Sequence, residues 1–527
     1  MKLHVLMPYA LFLIPFVAFS QNSDSLFKNS YNNLNRNFLI SYESAHVRDC
    51  TFHSSIKPFS DEHLKSSRGK SRIELNAVFE GEAGMEKTNF SSQNIIYGGM
   101  IGPQLRGVYK NKFSFSYSFL AGNSGFPSYQ DSSIKYSRVV PGMGSAYDSK
   151  IGHSFADHFG YLSFSPNKIF NFQVGKDKHF WGDGHRSLFL SDVSSSFPFL
   201  KITTNMWKFK YVNLFAMMKD ATASPYKNDF KNKYGTFHYL SWNATKRINI
   251  SLFESIIFQG TDTNRARSFD VNYLNPIIFY RPVEYSLGSS DNAFLGFAFK
   301  IKAGEKFNQH FYGQFIMDEF LLKEVMAIFK KLAHPLDPTI QYGWWANKQG
   351  AQLGFKSFDL FTLKNLSFQT EINAVRPYTY AHGSVQQNYG HYNQPLAHPL
   401  GANFAESVSF LNYRYKKWVI ETQFLYAVYG KNEKGKNWGG NIFESYISRE
   451  QEYYNKFFQG LKTYLSYSQI KAGYYILPSS DPEKNGAGLL AEAGVSVRQE
   501  KNSAASLSST FFFIGIKTAI MNRYRDY

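Results

Sequence analysis

The chain has 527 residues, of which 18% are Phe, Tyr or Trp, and Cys occurs once. Lys and Arg outnumber Asp and Glu by 58 to 40, which gives a net charge of +18, and the mean hydropathy is −0.35. This polar average excludes a bundle of transmembrane helices, which needs repeated apolar stretches of about 20 residues. The single Cys excludes a disulfide scaffold or a multi-cysteine metal centre. A polar but strongly aromatic chain is typical of an outer-membrane β-barrel.

Residues 1–20 predict a secretory signal peptide. Lys2 supplies a basic start, an apolar stretch follows it, and Ala18 and Ser20 suit the small-residue positions before a signal-peptidase cleavage site. A retained membrane anchor is the alternative, and it is disfavoured because two prolines interrupt a short segment. We therefore expect an exported protein that resides in the cell outer membrane as an integral barrel.

Residues 21–69 differ in composition from the rest of the chain and predict a short N-terminal periplasmic or plug segment. They are rich in Asn, Ser, Lys and His and show little alternation. From residue 70 to residue 527 the pattern changes to a period of two. In Phe113–Phe119, every second residue is aromatic and every intervening one is Ser. One face of such a strand suits lipid and the other a polar lumen, so we predict an all-β, antiparallel transmembrane barrel over 70–527.

Turn signals separate the alternating runs. Short turns at 109–112, 165–168 and 244–247 suit the periplasmic rim, where barrel hairpins are tight. The alternating runs number roughly 16–18, and residues 509–524 predict the last strand. Longer polar or Gly-rich stretches predict outer loops at 120–155, 219–234, 259–272, 376–403 and 428–452.

One segment, residues 318–332, has helical rather than alternating spacing. Two X-Pro pairs follow it, at 334–335 and 337–338, and these would end a helix. A short amphipathic helix between two strands is therefore predicted. Two roles stay open. In the first, the helix has a function and either caps the barrel mouth or folds inside it. In the second, it only covers a local apolar patch.

No sequence motif indicates catalysis. The chain lacks a G-x-S-x-G elbow, an H-E-x-x-H helix and a Walker loop. His382, His391 and His398 share one loop region, but their spacing matches no standard set of metal ligands. Solvated loop histidines are the preferred interpretation. We predict a protein without enzymatic activity, metal or cofactor.

Four blocks concentrate Trp, Tyr and charged residues: 175–192, 273–292, 343–350 and 373–404. Sugar faces stack on aromatic rings, while Asn, Asp and Arg bond to hydroxyls and carboxylates, so one interpretation is contact with polysaccharide. The alternative is a lumenal network of ion pairs and rings that only maintains the shape of the barrel. The candidate ligand-binding residues are Lys176, Lys178, Trp181, Asp183, His185, Arg186, Arg281, Glu284, Asp291, Trp344, Trp345, Lys348, Arg376 and Tyr378.

The same blocks carry a resemblance to a known family. GKDKHFWGDGHRSLFLSD resembles the Wzi-type capsule-assembly barrels. YLNPIIFYRPVEYSLGSSDNAFLGF, YGQFIMDEFLLKE, GWWANKQGAQLGFK and NAVRPYTYAH resemble the RemB-like gliding motility proteins of Bacteroidetes more closely still. The resemblance covers most of 70–527 and implies an outer-membrane barrel of about 18 strands without enzymatic activity. The Wzi branch implies a surface that holds capsular polysaccharide, and the RemB branch implies a role in gliding, a process tied to the type 9 secretion system.

The positive charge favours anionic partners. It would attract both the phosphates of lipopolysaccharide and the uronic acids of many capsules. Nucleic acid is excluded by the compartment, and the basic residues form no single stripe. We expect outer-membrane lipids and lipopolysaccharide as neighbours, with anionic surface polysaccharide and gliding or type 9 secretion proteins as candidate partners. The competing hypotheses are a porin-like channel for anionic solutes and a barrel hydrolase.

Overall fold

Among the residues that the structure describes, 18 antiparallel strands form one closed barrel in the computed structural model. The described residues are 56–57, 71–90, 94–110, 112–220, 230–262, 265–266, 271–276, 291–303, 309–319, 322–477, 489–518 and 524–527. The barrel strands are β1 (Arg72–Thr88), β2 (Asn94–Tyr109), β3 (Phe113–Ser124), β4 (Gly152–Phe164), β5 (Phe170–Asp177), β6 (Phe197–Met206), β7 (Phe209–Asp220), β8 (Lys231–Asn243), β9 (Ile248–Gln259), β10 (Asn292–Ala303), β11 (Gln309–Met317), β12 (Gln349–Phe358), β13 (Leu366–Val375), β14 (Phe404–Tyr415), β15 (Trp418–Lys431), β16 (Leu461–Leu477), β17 (Leu489–Lys501) and β18 (Ser506–Thr518).

Consecutive strands pair around the whole barrel, and β1 pairs with both β2 and β18 to close it. Gly81 of β1 lies opposite Gly99 on one side and Ile516 on the other. Closure pairs the backbone N–H and C=O groups of every strand edge. This pairing is necessary in a bilayer, because the lipid contains no water that could bond to unpaired backbone groups. The prediction of an all-β, antiparallel outer-membrane barrel with about 18 strands is confirmed.

The alternation in the sequence matches the two faces of the barrel wall. In β3, Phe113, Tyr117 and Phe119 are exposed on the outside, whereas Ser114 and Ser118 are buried inside. Successive side chains of a strand point to opposite faces, so the rings form the lipid-facing belt and the small polar residues face the lumen. The residue pattern therefore decides which face of each strand contacts lipid.

The connections between strands form two different rims. The predicted short turns at 109–112, 165–168 and 244–247 all lie at one rim, which we call the inner rim; residue 111 is outside the described part. The opposite, outer rim carries the long connections. In barrels of this class the short turns face the periplasm and the long loops face the cell exterior. The principal outer connections are 125–151, 178–196, 318–348, 376–403 and 432–460.

The predicted outer loops are partly confirmed. The loop at 376–403 is confirmed, since it fills the interval between β13 and β14. The loops predicted at 120–155 and 428–452 begin too early, because β3 and β15 continue their pairing beyond those starts. Parts of the loops predicted at 219–234 and 259–272 lie outside the described residues.

Within the described residues, two α-helices lie in outer connections. α1 (Ser128–Ser137) follows β3 and was not predicted, whereas α2 (Leu322–Ala333) confirms the helix predicted at 318–332. It begins later than predicted because Asp318 and Glu319 still bond to Lys348 as an extension of the β11–β12 ladder. No helix in the described part of the chain has the length and apolar character to cross a bilayer.

The last strand, predicted at 509–524, is β18 over the described residues Ser506–Thr518, and Tyr524 is not part of it. Residues 519–523 lie outside the described part, and residues 524–527, which we call the tail, contact the interior of the barrel. The charges of the tail suit a position inside the barrel: Arg525 pairs with Glu82 of β1, and Asp526 pairs with the buried Arg186. Such charges are costly on a lipid-facing strand surface and are stabilised by ion pairing inside.

The predicted N-terminal segment 21–69 is described only at residues 56–57. Their backbone pairs antiparallel with Phe180–Trp181. The remainder of that segment and the predicted signal peptide 1–20 lie outside the described residues.

Candidate functional site

The connection between β5 and β6, residues 178–196, folds into the barrel, and we call it the lumen segment. All of its residues from 179 to 196 are buried. The Trp181 indole packs against Phe237, Tyr239 and Phe253 on the inner faces of β8 and β9, with ring centroids 6.3, 5.4 and 6.0 Å away. Ring contacts at these distances are favourable beyond the area they bury, so Trp181 attaches the segment firmly to the wall.

Gly182 allows the lumen segment to turn next to the wall. Its φ is +141°, and a Cβ there would lie 2.3 Å from Nε2 of Gln314. Gln314 of β11 donates from that nitrogen to the carbonyl of Trp181 (3.1 Å) and accepts from the amide of Leu188 (2.8 Å). Only a residue without a side chain permits both the φ and this approach.

Glu371 of β13 fixes the backbone of the same segment. Its carboxylate accepts from the amides of His185 (2.7 Å) and Arg186 (2.9 Å) and from the Tyr312 hydroxyl (2.8 Å). Hydrogen bonds to an ionised acceptor are stronger than neutral ones. The lumen segment is therefore tied to the wall through its main chain as well as through its side chains.

A buried group of charges surrounds Arg186. Its Nη2 lies 2.9 Å from Oδ2 of Asp526 in the tail and 3.1 Å from Oε1 of Glu406 in β14. The imidazole of His398 lies 2.8 Å from the other oxygen of Glu406. Buried charges are tolerated when each has a partner, and this set joins the lumen segment, the wall and the tail.

The tail makes further contacts inside the barrel. The hydroxyl of Tyr524 donates to Oδ1 of Asp192 (2.7 Å), and the hydroxyl of Tyr129 in α1 donates to the carbonyl of Arg525 (2.6 Å). The lumen segment and the tail thus both lie in the lumen and contact each other.

The outer connection 376–403 covers the lumen segment from the outer rim. The Tyr380 hydroxyl donates to the carbonyl of Leu188 (2.7 Å), and the Tyr389 hydroxyl donates to the carbonyl of Phe189 (2.6 Å). Both tyrosines are buried. This second layer leaves the lumen segment without direct contact with the exterior at these positions.

The three loop histidines are buried, so the prediction that they are solvated is wrong. His391 accepts from the amide of Lys219 (2.9 Å), His398 meets Glu406, and His382 packs edge-on against Tyr446. Burial lowers the pKa of His391 to about 3 and that of His382 to about 4, which keeps both rings neutral. Among the described residues, no group of three or more His, Cys, Asp or Glu is placed to hold a metal ion.

A second set of residues meets at the outer rim, and we call it the rim cluster: Trp344, Trp345, Tyr378, Tyr446 and Arg449. Trp345 is its centre, with ring centroids 4.7 Å from Tyr446, 6.2 Å from Tyr378 and 6.2 Å from Trp344. The guanidinium carbon of Arg449 lies 4.3 Å from the centre of the Trp345 ring. Tyr378 is fully buried, whereas Trp344, Trp345, Tyr446 and Arg449 are half-buried. These four residues therefore present aromatic and cationic surface to the exterior.

Lys348 supports the rim cluster from beneath. It is fully buried, with Nζ 2.9 Å from Asp318, 3.3 Å from Glu319 and 4.8 Å from the centre of the Tyr446 ring. Burial opposes its charged form, but the two carboxylates outweigh this effect and raise the pKa of Lys348. Lys348 therefore joins three outer connections, 318–348, 376–403 and 432–460, below the rim cluster.

The structure divides the predicted site residues into separate groups. Trp344, Trp345 and Tyr378 meet in the rim cluster, and Arg376 donates from Nε to the carbonyl of Asn347 nearby (2.7 Å). Arg281 and Glu284 lie outside the described residues. The block at 175–192 places its six candidates in or beside the lumen, where they contact other residues of the chain: Lys176, Lys178, Trp181, Asp183, His185 and Arg186.

Asp291 belongs to neither group. It is buried beside the lumen, where it accepts from the Tyr273 hydroxyl (2.5 Å) and from Nε2 of Gln387 (2.8 Å). These bonds tie the start of β10 to the covering connection 376–403.

Sequence reasoning missed Tyr446 and Arg449. They lie in the outer connection 432–460, far in sequence from the tryptophans that they contact. Backbone pairing brings the two regions together: the amide of Tyr454 donates to the carbonyl of Tyr342, and the amide of Asn455 donates to that of Gly343. Such pairing between loops leaves no local pattern in the sequence.

Together these features define an outer-membrane β-barrel whose lumen is filled, over the described residues, by its own chain. The chain is similar to Wzi of Escherichia coli, an outer-membrane protein involved in group 1 capsule assembly and described as a carbohydrate-binding β-barrel. The identity is 12%, the TM-score is 0.55, and the match covers 95% of this chain and 100% of Wzi. At this identity the likeness shows the fold alone.

Other matches are more distant. OpdL and OpdK of Pseudomonas aeruginosa are each 8% identical, with TM-scores of 0.44 and 0.45. The OpdL match covers 84% of this chain and the OpdK match covers 85%, and each covers 98% of the matched protein. No family model and no curated protein matches the chain.

Proposed function

We propose that this protein is a non-enzymatic outer-membrane barrel that binds or organises surface polysaccharide through its rim cluster. The observation that carries the proposal is the half-buried Trp345, which contacts Tyr446 and Arg449 on the outer rim. Aromatic faces stack on sugar rings, and a guanidinium bonds to sugar hydroxyls and carboxylates. The net charge of +18 adds a general attraction for anionic glycans.

Wzi gives this proposal independent support, since that barrel is described as carbohydrate-binding and matches this chain over nearly its whole length. The capsule-assembly part of the proposal comes from this fold likeness together with the sequence resemblance of the four blocks.

A porin-like channel for anionic solutes has less support. The lumen segment is buried from residue 179 to residue 196, and the tail and connection 376–403 contact it from other directions. An open porin needs a water-filled passage through this same volume. We therefore expect the purified barrel to conduct few ions.

A role in the gliding and type 9 secretion apparatus is proposed on the resemblance to the RemB-like proteins alone. It predicts that components of that apparatus co-purify with the barrel from native membranes in mild detergent. Co-purification of glycan without such proteins would favour the polysaccharide role by itself.

The polysaccharide proposal is tested by replacing Trp345 with Ala. The probes are immobilised uronic-acid-containing and neutral bacterial polysaccharides, and the protein is the full barrel in detergent. Loss of a stacked ring is expected to cost about 1.4 kcal/mol, which weakens the Kd about tenfold. The matched control is Trp207→Ala, because Trp207 is an exposed tryptophan on the inner rim.

The control variant should bind like the parent barrel. Equal binding by Trp345→Ala, Trp207→Ala and the parent, or no binding of any probe by the parent, contradicts the proposed function. Heat-modifiable migration on gels establishes that each variant remains a folded barrel.

A further inference from the structure

α2 carries an exposed apolar stripe. Met326, Phe329 and Leu332 are 47%, 59% and 72% exposed, and Leu336, just beyond the helix, is 94% exposed. Residues three apart lie on the same side of a helix, so these side chains form one continuous strip. Apolar strips of this kind mark a contact with another apolar phase or partner.

The opposite side of α2 faces the connections that cover the barrel mouth. Lys331 donates to the carbonyl of Asp337 (2.6 Å) and lies 6.0 Å from the Tyr342 ring, which itself packs on Tyr454. With 3.6 residues per turn, Lys331 is about 160° around the helix from Phe329. The apolar stripe therefore faces away from Tyr342 and from connection 432–460, which Tyr342 contacts.

The helix starts at the edge of the lipid-facing belt. β11 ends at Met317, and α2 begins at Leu322. On the outer surface below this point, Phe311, Phe315 and Leu353 are exposed to lipid. α2 therefore begins close to the outer end of the lipid-facing belt, and amphipathic helices at a membrane interface bury their apolar face about 5–10 Å deep.

The charges beside the stripe complement an anionic lipid surface. Lys323 and Lys330 are exposed and follow the edge of the stripe next to Met326. The helix has three lysines and one acidic residue, Glu324, whose side chain is only 14% exposed. Basic side chains flanking an apolar face are typical of helices that bind phosphorylated or otherwise anionic lipids.

We propose that α2 lies in the outer-leaflet interface, with Met326, Phe329 and Leu332 among the acyl chains and Lys323 and Lys330 on lipid phosphates. This contact extends the barrel's lipid surface beyond the strands on one side of the outer rim. It is independent of the polysaccharide proposal, which depends on other residues.

The test uses the full barrel, with Cys50 replaced by Ser, in nanodiscs of phosphatidylcholine with or without phosphatidylglycerol. Single cysteines carry an environment-sensitive fluorophore, and doxyl-labelled lipids quench it. Phe329→Cys reports the stripe, and Ala327→Cys reports the opposite side of the same helix. Ile447→Cys is the matched control, since Ile447 is a 71% exposed aliphatic residue elsewhere on the outer rim.

The expected result is quenching at position 329 that exceeds quenching at 327 and 447 by about threefold and that increases with phosphatidylglycerol. Equal quenching at the three positions overturns the proposal. Protection at 329 without quenching, accompanied by disulfide-linked dimers of Phe329→Cys, also overturns it, because a second copy then covers the stripe. Quenching at position 329 that does not change with the phosphatidylglycerol content of the nanodiscs overturns the proposed contact between the lysines and lipid phosphates.

Discussion

Replacing Arg186 with Met is expected to destabilise the barrel strongly. The substitution keeps an unbranched side chain but removes the charge that lies 2.9 Å from Asp526 and 3.1 Å from Glu406. Two buried carboxylates then share a site with no cation between them. Removing one partner of a buried ion pair costs about 3–5 kcal/mol, because the remaining charge is left uncompensated.

The free energy of unfolding is measured in detergent by guanidinium titration, with tryptophan fluorescence and far-ultraviolet circular dichroism as the two probes. The loss should be largest at neutral pH and should shrink at acidic pH, since protonation neutralises the stranded carboxylates. Arg247→Met is the control, because Arg247 lies exposed in an inner-rim turn, and it should change stability by less than about 0.5 kcal/mol.

A second substitution separates charge from packing. Asp526→Asn, added to Arg186→Met, removes one of the stranded charges and should restore about 1–2 kcal/mol. If Arg186→Met alone unfolds at the same denaturant concentration as the parent at neutral pH, the charge argument is refuted. A double variant no more stable than Arg186→Met would show that lost packing, and not stranded charge, causes the effect.

Three further predictions concern the lumen and the rim. Gly182→Ala should lower the melting temperature, because the new Cβ meets Gln314 Nε2 at 2.3 Å and the φ of +141° is strained by about 1–3 kcal/mol for other residues; an unchanged melting curve contradicts this. The parent barrel should give little steady current in planar bilayers, whereas replacement of 180–192 by a Gly-Ser linker should give frequent openings; a large current through the parent would favour the porin hypothesis. Lys348→Met should speed proteolysis of connection 318–348, because the variant lacks the ion pairs with Asp318 and Glu319. These carboxylates raise the pKa of Lys348, so the parent keeps its ion pairs, and the difference in proteolysis rate persists, until the pH exceeds that raised pKa. Equal proteolysis rates for parent and variant would contradict this prediction.

The wall of the barrel could be predicted because its signal is local. In 113–119 the aromatic and serine positions alternate, and each residue's neighbours decide its face without reference to distant parts of the chain. The turns at 165–168 and 244–247 and the helix α2 were found for the same reason. Errors at strand ends, such as the start of loop 428–452, arise where pairing with a neighbouring strand continues the ladder past the end of the pattern.

The candidate site was only partly predictable, because long-range contacts create it. The residues of 175–192 are unusual in sequence, but their composition does not distinguish a glycan surface from a lumenal network. Trp344 and Trp345 were found through their residue type, whereas Arg449 became part of the same cluster only through pairing between two outer connections. The three loop histidines were also predicted incorrectly. The polar composition of their loop predicted exposure to solvent, but contacts with neighbouring loops bury all three side chains.

The position of the tail has a consequence for the order in which the barrel is assembled. Tyr129 and Arg525 are 396 positions apart, so their contact incurs a larger loop-closure entropy than the contacts within a local hairpin. Until the tail docks, Arg186 is paired with Glu406 alone, and its guanidinium lacks its second acceptor, Asp526. An intermediate in which the tail has not docked would leave the buried guanidinium of Arg186 short of one hydrogen-bond acceptor, so docking of the tail stabilises the closed barrel in one cooperative last step.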